Sequence, residues 1–349
     1  MSPRSDSKDS SGTAGRRGGP TVVDFQHHFV PAELAARKGL VPGERRNLIE
    51  GGIAKFTLHD KLYDLDGQLR DMDLAGIDVA VLTCNLGWDA TLEECRLINE
   101  QAADLQARYP GRFVGLAHAP VLEEAGLEEL ERATGELNLR GATIASQVGG
   151  LPLDAPALAP FYRKASALQL PIFVHPAQLP AGYPFCRDYD LARIIGREVD
   201  LQVAVTRVIA GRVLEEFPAL TFVFAHFGGG IAAVKERLVA KSGRFGTLRR
   251  PFEDSFGRLY FDTAGFEGGP AALRCGLEGI RPERLVFATD YPQDFTGATT
   301  QTGRGVEAIR AYIDLIRGLP LSDGAAEGIL GGTAARLLRL DGERGHGLS

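Results

Sequence analysis

The stretch FPALTFVFAHFGGG, residues 217–230, contains the pattern that decides the fold. Its centre, residues 222–226, is a short apolar run without alternation, which is typical of a parallel strand buried on both faces. The run ends in His226, at the carboxyl end of the predicted strand, where barrel enzymes carry catalytic groups. Three glycines follow, and they favour close packing beneath this histidine over an anion-binding turn. The segment therefore predicts a buried strand that presents one functional side chain.

Seven further runs of this kind occur along the chain, separated by stretches with helical periodicity. The runs cover residues 22–26, 78–83, 113–117, 141–145, 172–175, 259–263 and 285–289. The predicted helices cover residues 92–109, 156–168, 191–217 and 305–319. Strands that alternate with helices predict an α/β fold, and eight such strands predict a (β/α)8 barrel of the TIM type. The competing doubly wound sheet needs a glycine-rich turn after its first strand, which this sequence lacks.

The length of 349 residues fits a single barrel domain with short tails. Residues 1–19 are rich in serine, glycine and charge, so they predict a disordered tail, and residues 342–349 are expected to form a second tail. The barrel domain is expected to span residues 20–341. An insertion at about residues 32–61 follows the first strand, and long insertions at this place often form a lid or cap.

Composition argues against several classes of function. The net charge of −6 makes nucleic acid an unexpected partner. No run of 18 or more apolar residues occurs, which argues against a membrane span. The four cysteines form no C-x-x-C pair, so they indicate reduced thiols in a cytoplasmic protein. These features are typical of an ordinary soluble globular protein.

Side chains that suit a divalent metal ion lie at the predicted carboxyl ends of four strands. They are His28 in the first strand, His175 in the fifth, His226 in the sixth and Asp290 in the eighth. Strand alternation puts Asp24, Gln26 and His28 on one face and His27 on the other. A single histidine at a strand end is more often structural, but several imidazoles and a carboxylate at one rim suit Zn²⁺, Mn²⁺ or Fe²⁺. His118, near the end of another strand, is interpreted as a rim or core residue.

Seven motifs give the chain a family resemblance. They are VVDFQHHFVP (22–31), RYPGRFVGLAHAPV (108–121), PIFVHPA (171–177), FPALTFVFAHFGGG (217–230), LYFDTAGF (259–266), LVFATDYP (285–292) and ILGGTAARLLRL (329–340). In this order they resemble the amidohydrolase superfamily, and within it the amidohydrolase-2 group with aminocarboxymuconate-semialdehyde decarboxylase and the aromatic-acid decarboxylases. The resemblance implies a distorted (β/α)8 barrel, in agreement with the predicted strands.

The resemblance also implies a set of site residues. One divalent metal ion is expected, with Zn²⁺ favoured over Mn²⁺ and Fe²⁺, and its ligands would be His28, His175, Asp290 and Gln26. His226 and Asp290 are implied as catalytic residues. Gln26 departs from the family pattern, which has His or Glu at this position, and its neutral amide oxygen is a weaker donor than either. It could bind the metal through its carbonyl oxygen, hold a water on the metal, or leave the site weakened.

Several residues are candidates for substrate binding. Arg237 resembles a family arginine that reaches the substrate carboxylate of a neighbouring subunit, which would require a homodimer. Arg45 and Arg46, in the insertion, could bind a carboxylate from a lid. An aromatic wall for a planar substrate is expected after the fifth strand, from Tyr183, Phe185 and Tyr189. Each has a structural alternative, either a solvated surface arginine or ordinary packing.

Three functions follow as hypotheses. The first is a metal-dependent, non-oxidative decarboxylase of a small aromatic or unsaturated carboxylic acid, in which the metal acts as Lewis acid and template. The second is a metal-dependent hydrolase of a lactone, amide or ester, for which the same residues would activate water. The third, motivated by Gln26, is a metal-poor member that binds a ligand or works without metal. The resemblance favours the decarboxylase.

Overall fold

The computed structural model describes residues 21–41, 43–180, 184–293 and 305–340, so the two predicted tails lie outside the described residues. Twelve strands occur in this part of the chain. They are β1 (Val23–Phe29), β2 (Arg46–Glu50), β3 (Ile53–Leu58), β4 (Val79–Cys84), β5 (Phe113–Gly115), β6 (Ala142–Ala145), β7 (Gln147–Val148), β8 (Leu151–Pro152), β9 (Pro171–His175), β10 (Thr221–Phe224), β11 (Tyr260–Asp262) and β12 (Leu285–Val286).

Eight parallel strands close into a barrel. β1, β4 and β5 form one sheet in that order, and β6, β9, β10, β11 and β12 form a second. A bridge between Ala117 and Ala142 joins the sheets on one side, and a bridge between His27 and Tyr291 joins them on the other. The strands thus follow one another around the ring in chain order, which confirms the predicted (β/α)8 fold. Their carboxyl ends share one rim, where the candidate site residues lie.

Helices connect the strands. The α-helical segments are α1 (Ala32–Arg37), α2 (Leu65–Ala75), α3 (Leu92–Arg108), α4 (Glu124–Gly135), α5 (Ala159–Ala167), α6 (Arg197–Ala210), α7 (Val213–Glu216), α8 (His226–Gly230), α9 (Lys235–Lys241), α10 (Phe252–Phe256), α11 (Pro270–Gly279), α12 (Val306–Arg317), α13 (Ala325–Glu327) and α14 (Thr333–Leu338). Short 3₁₀ turns occur at Asp60–Leu62, Pro156–Leu158, Pro184–Cys186, Ile231–Val234, Ser242–Phe245 and Pro282–Arg284, and π turns at Ala192–Gly196 and Gly328–Gly332. None of the described helices is long and apolar enough to cross a membrane.

The predicted elements match the observed ones with instructive differences. The helix predicted for residues 92–109 is α3, which begins at a capping box formed by Thr91 and Glu94. The helix predicted for residues 191–217 is divided into a π turn, α6 and α7, because the chain passes through Gly211 and the left-handed Arg212 (φ 64°). The first strand runs beyond the predicted end at residue 26, so Gln26 and His28 lie within β1.

The insertion after the first strand contains α1 and an antiparallel hairpin of β2 and β3. This hairpin is tied to the π turn and α6 by arginines. Arg193 donates to Thr57 Oγ1 at 2.9 Å, and Arg197 donates to the backbone oxygen of Lys55. The hairpin therefore lies beside the segment that follows β9, at the rim that carries His175.

Candidate metal centre and active site

Three side chains from opposite ends of the sequence meet at the rim of the barrel. His28 Nε2 lies 2.6 Å from Asp290 Oδ1, and Gln26 Nε2 donates to the same oxygen at 2.7 Å. His28 Nδ1 contacts Thr83 Oγ1 at 2.9 Å, which fixes the ring. Burial alone would raise the pKa of Asp290. The hydrogen bond and charge of His28, with His226 and Gln26, outweigh burial and hold this pKa below its ordinary value.

His175 completes the cluster from the end of β9. Its Nδ1 donates to the backbone oxygen of Pro176 at 2.8 Å, which leaves Nε2 with its lone pair available. The ring stacks against Trp88, with centroids 3.9 Å apart and planes inclined by 13°. Burial, followed by the charges of His28 and His226, lowers the pKa of His175 well below the ordinary histidine value. The imidazole is therefore neutral, as a metal ligand must be.

This donor set fits a divalent metal ion. One ligand atom each from His28, His175 and Asp290 lies within 4.8 Å of the others. The short contact between His28 Nε2 and Asp290 Oδ1 brings two electron-pair donors together, so a cation must lie between them, either a proton or a metal. The Gln26 carbonyl oxygen is buried and has no hydrogen-bond partner within the described residues. The amide nitrogen of Gln26 faces Asp290 and the two imidazoles, so rotation of the amide by 180° would turn the unpartnered oxygen towards a metal ion.

Asp24 does not join this cluster, although alternation placed it on the face of Gln26 and His28. Its carboxylate accepts from the Thr289 hydroxyl at 2.6 Å and backbone nitrogen at 2.9 Å, and from His27 Nδ1 at 3.0 Å. The pairing register of β1 with β4 shifts between Asp24 and His27, which breaks simple alternation. His27 faces away from the cluster and stacks on Tyr291, with ring centroids 4.5 Å apart. Asp24 therefore holds the first and last strands together.

His226 lies just beyond β10, in a left-handed turn. Residues 226–230 all have positive φ, from 51° to 73°. Such a run is costly for side-chain residues, so glycine at three of the five positions is the local reason that the turn forms. A Cβ on Gly229 would lie 1.9 Å from the backbone oxygen of Glu198, which shows how closely the turn packs on α6. The expectation of close packing beneath His226 is thus met, and a right-handed 3₁₀ turn begins at Ile231 directly after the left-handed turn.

Acidic groups on two sides control the charge of His226. Its Nδ1 lies 2.8 Å from Glu198 Oε1, and its backbone nitrogen donates to Asp262 Oδ1 at 2.7 Å. Burial alone would lower the pKa of His226, but the charge and hydrogen bond of Glu198, with Asp290 and Asp262, raise it to about 10. The acidic neighbours therefore favour the imidazolium form of the ring. Its Nε2 points towards the cluster, 3.3 Å from Gln26 Nε2 and 3.8 Å from Asp290 Oδ2.

The predicted substrate-binding residues are not brought to this cluster within the chain. Arg237, Arg45 and Arg46 are exposed, and Arg46 donates to the backbone oxygens of Lys38 and Gly39. An action of Arg237 on a neighbouring subunit of a homodimer stays a prediction. Phe185 and Tyr189 are 93% and 88% exposed, so they form no enclosed aromatic wall, and Tyr183 lies outside the described residues.

His118 is a core residue. Its Nε2 accepts from the backbone nitrogen of Cys84 at 3.0 Å, and the ring is fully buried. A Cβ on Gly87 would lie 2.2 Å from its Nδ1. Burial lowers the pKa of His118 to about 3, so the ring is neutral.

Three residues beside the site were not anticipated from the sequence. Trp88 stacks on His175, Glu198 pairs with His226, and Arg197 lies between the hairpin and the segment after β9. A usable signal existed for Trp88, because it is the only tryptophan and follows the second predicted strand end. No comparable signal existed for the other two, which lie in the first turn of a helix far from any strand end.

The fold and the site together define an α/β barrel enzyme with a potential metal site at the carboxyl ends of its strands. The chain belongs to the Amidohydrolase family (Amidohydro_2), whose profile matches residues 23–340. A 2-amino-3-carboxymuconate-6-semialdehyde decarboxylase of Dictyostelium discoideum is 26% identical over 293 residues, 80% of this chain and 77% of that protein. A gamma-resorcylate decarboxylase of Rhizobium sp. (strain MTP-10005) is 26% identical over 299 residues, 77% of this chain and 87% of that protein.

A solved structure has the same fold. It is a dihydroxybenzoic acid decarboxylase from Polaromonas sp. JS666, described with bound manganese and the inhibitor 2-nitroresorcinol. The TM-score is 0.73 at 23% identity, and the match covers 93% of this chain and 98% of that chain. At this identity the likeness supports the barrel fold.

Proposed function

We propose that this protein is a metal-dependent, non-oxidative decarboxylase of a small aromatic or unsaturated carboxylic acid. The observation that carries the proposal is the convergence of His28, His175 and Asp290 beside His226, in a chain similar to the two decarboxylases named above. A divalent cation at such a site supplies Lewis-acid polarisation and a template for the substrate carboxylate.

Four residues would hold that cation. His28 and His175 offer imidazole nitrogens, Asp290 a carboxylate oxygen, and Gln26 an amide oxygen. Two nitrogens and two oxygens suit either Zn²⁺ or Mn²⁺, and the manganese in the Polaromonas structure supports testing both. Gln26 is the weakest donor of the four, so a substitution of Gln26 is expected to change the metal affinity of the site.

The proton that the reaction needs is assigned to His226. Decarboxylation breaks the bond between carbon and the carboxylate, releases CO₂, and leaves an electron pair on carbon that takes up a proton. The lowered pKa of Asp290 favours its carboxylate, whereas Glu198 raises the pKa of His226 to about 10, which favours its imidazolium form. His226 therefore carries the proton, and its Nε2 faces the cluster 3.8 Å from Asp290 Oδ2. Glu198 holds the ring so that Nε2 keeps this direction.

The proposal is tested by measuring bound metal and CO₂ release on the same preparations. Wild type is expected to bind about one metal per chain when loaded with Mn²⁺ or Zn²⁺, and to release CO₂ from members of a panel of hydroxybenzoates and unsaturated acids. His175→Gln should lose both metal and activity. His59→Gln is the matched control, because it makes the same substitution at a buried histidine outside the cluster.

Two results would contradict the proposal. Metal-loaded protein that opens lactones or cleaves esters, and releases no CO₂ from any acid, would establish the hydrolase hypothesis instead. Protein that binds neither metal, but gains binding on Gln26→His, would show that the glutamine has weakened the site and would support the metal-poor alternative.

A further inference from the structure

Arg197 is a cation beside the site that neither the metal cluster nor the proton donor uses. It is the first residue of α6 and directly follows the π turn at Ala192–Gly196. Its Nη2 donates to the backbone oxygen of Lys55 in β3, and to that of Gln178 at 3.0 Å in the segment after β9. The guanidinium therefore lies between the inserted hairpin and the chain that continues from His175.

The charge of this guanidinium is not neutralised by an ion pair. Both hydrogen-bond acceptors are backbone carbonyls, and no carboxylate forms a salt bridge with Arg197 within the described residues. Its Nε is enclosed without a hydrogen-bond partner, and Nη1 makes no hydrogen bond to any residue that the structure describes. Arg193, one turn earlier, shows the contrast, because its guanidinium pairs with Asp190 at 2.5 Å. A largely buried cation without a counter-ion is costly, and an anion that reaches Nη1 would offset the cost.

Two contacts bring this guanidinium close to the metal cluster. Its acceptor Gln178 lies three residues after His175, and the next residue of α6, Glu198, contacts His226 Nδ1 at 2.8 Å. Burial, with the charge of Arg193, lowers the pKa of Arg197 to about 10, and the charges of Asp290, Glu198 and Asp190 act in the opposite direction. Arg197 in turn contributes to the lowered pKa of His175. Its charge thus acts on residues of the cluster from the hairpin side.

We infer that Arg197 binds a second carboxylate of the substrate, so that the enzyme acts on dicarboxylic rather than monocarboxylic acids. The inference rests on the proposed function, in which the first carboxylate is held at the metal cluster and is lost as CO₂. A guanidinium suits this role because its planar N–H donors match a carboxylate, and it keeps its charge even when partly buried. The substrate class is then a planar aromatic or conjugated acid that keeps one carboxylate in the product.

The test compares two kinds of ligand on metal-loaded protein by calorimetry. The probes are 2-hydroxybenzoate and a set of its ring-carboxylated derivatives, which differ only in the second acid group. Wild type is expected to bind at least one derivative about tenfold more tightly than 2-hydroxybenzoate, since one charge-assisted hydrogen bond supplies this much. Arg197→Gln should abolish that preference and leave the affinity for 2-hydroxybenzoate unchanged. Arg197→Lys, which keeps the charge, should retain part of it.

Arg193→Gln is the matched control, because it also removes a tie between the hairpin and α6, and it should keep the preference. The inference is overturned if Arg197→Gln keeps the preference, or weakens both kinds of ligand equally, since Arg197 would then only hold the hairpin. If Arg197→Gln does not fold, the test rests on Arg197→Lys. A full preference for the ring-carboxylated ligands in Arg197→Lys overturns the inference, and a reduced preference supports it. Equal binding of both kinds of ligand by wild type also overturns it, but leaves the decarboxylase proposal intact. Failure of metal-loaded wild type to bind any acid would instead count against the decarboxylase itself.

Discussion

Substitution of Gly229 by alanine tests whether the glycines are needed for backbone shape alone or also for contact with α6. Gly229 and Gly230 have nearly equal positive φ, 70° and 73°. Alanine in this conformation costs about 1–2 kcal/mol of stability at either position. Their surroundings differ, because a Cβ on Gly229 would lie 1.9 Å from the backbone oxygen of Glu198, whereas one on Gly230 would lie 3.5 Å from Phe266.

The contact at Gly229 adds a second cost. An ordinary contact begins at 3.4 Å, so the turn and α6 must separate by about 1.5 Å to admit the new methyl group. Overpacking of this kind costs about 1–3 kcal/mol. Gly230→Ala should therefore lose about 1–2 kcal/mol, and Gly229→Ala about 2–5 kcal/mol. The same movement would pull Glu198 away from His226, so Gly229→Ala should also lose most of its activity.

The assay is urea unfolding of metal-free wild type and both variants, followed by activity of the metal-loaded forms at a temperature at which all are folded. Equal losses of stability in the two variants would refute the reasoning, because only backbone strain would then matter. If Gly229→Ala is clearly destabilised but keeps its activity, the function of His226 does not depend on the close packing of this turn against α6.

Three further predictions concern metal and pH. Gln26→His should tighten Zn²⁺ binding by on the order of tenfold, because imidazole is a stronger ligand for zinc than a neutral amide oxygen. A weaker Zn²⁺ affinity of the variant in a competition titration would show that the amide is the better donor here. Metal binding should change the fluorescence of Trp88, the only tryptophan, because its ring stacks on His175. His175→Gln should abolish this response. An unchanged emission in protein that has bound metal would contradict the stacked arrangement. The pKa of His118 is about 3 in the folded state, against an ordinary value of 6.5, so the stability it contributes is present above pH 6.5 and is lost as pH falls towards 3. Between pH 6.5 and 4.5 metal-free wild type should lose about 1.2 kcal/mol per pH unit more than His118→Gln, and equal slopes in urea unfolding would exclude this role.

The barrel was predictable because its signal is repeated and local. Eight short apolar runs that alternate with helical stretches favour buried parallel strands, and each predicted run coincides with one observed strand. The rim residues followed from the same reasoning, since parallel strands deliver their carboxyl ends to one side. His28, His175 and Asp290 indeed converge, although the sequence could not supply the distances between them.

The remainder depends on contacts that no local pattern encodes. Asp24 does not lie on the predicted face of β1, because the register of the strand shifts between Asp24 and His27. No local sequence pattern indicates such a shift. The left-handed turn at residues 226–230 was hidden because glycine permits positive φ without requiring it. Tyr189 and Phe185 suggested an aromatic wall by composition, but the aromatic surface beside His175 comes from Trp88 on another connection of the barrel.

Arg197 and Glu198, which both lie beside the cluster, are neighbours in the chain. The geometry of α6 explains why they contact different parts of the structure. Arg197 and Glu198 are consecutive, so their side chains leave the helix about 100° apart. One reaches the hairpin and the segment after β9, and the other reaches His226. The π turn before them widens the helix by one residue, and such turns occur frequently at functional sites. A regular α-helical turn there would rotate both side chains together, so the position of the cation and the charge of His226 depend on the same irregularity.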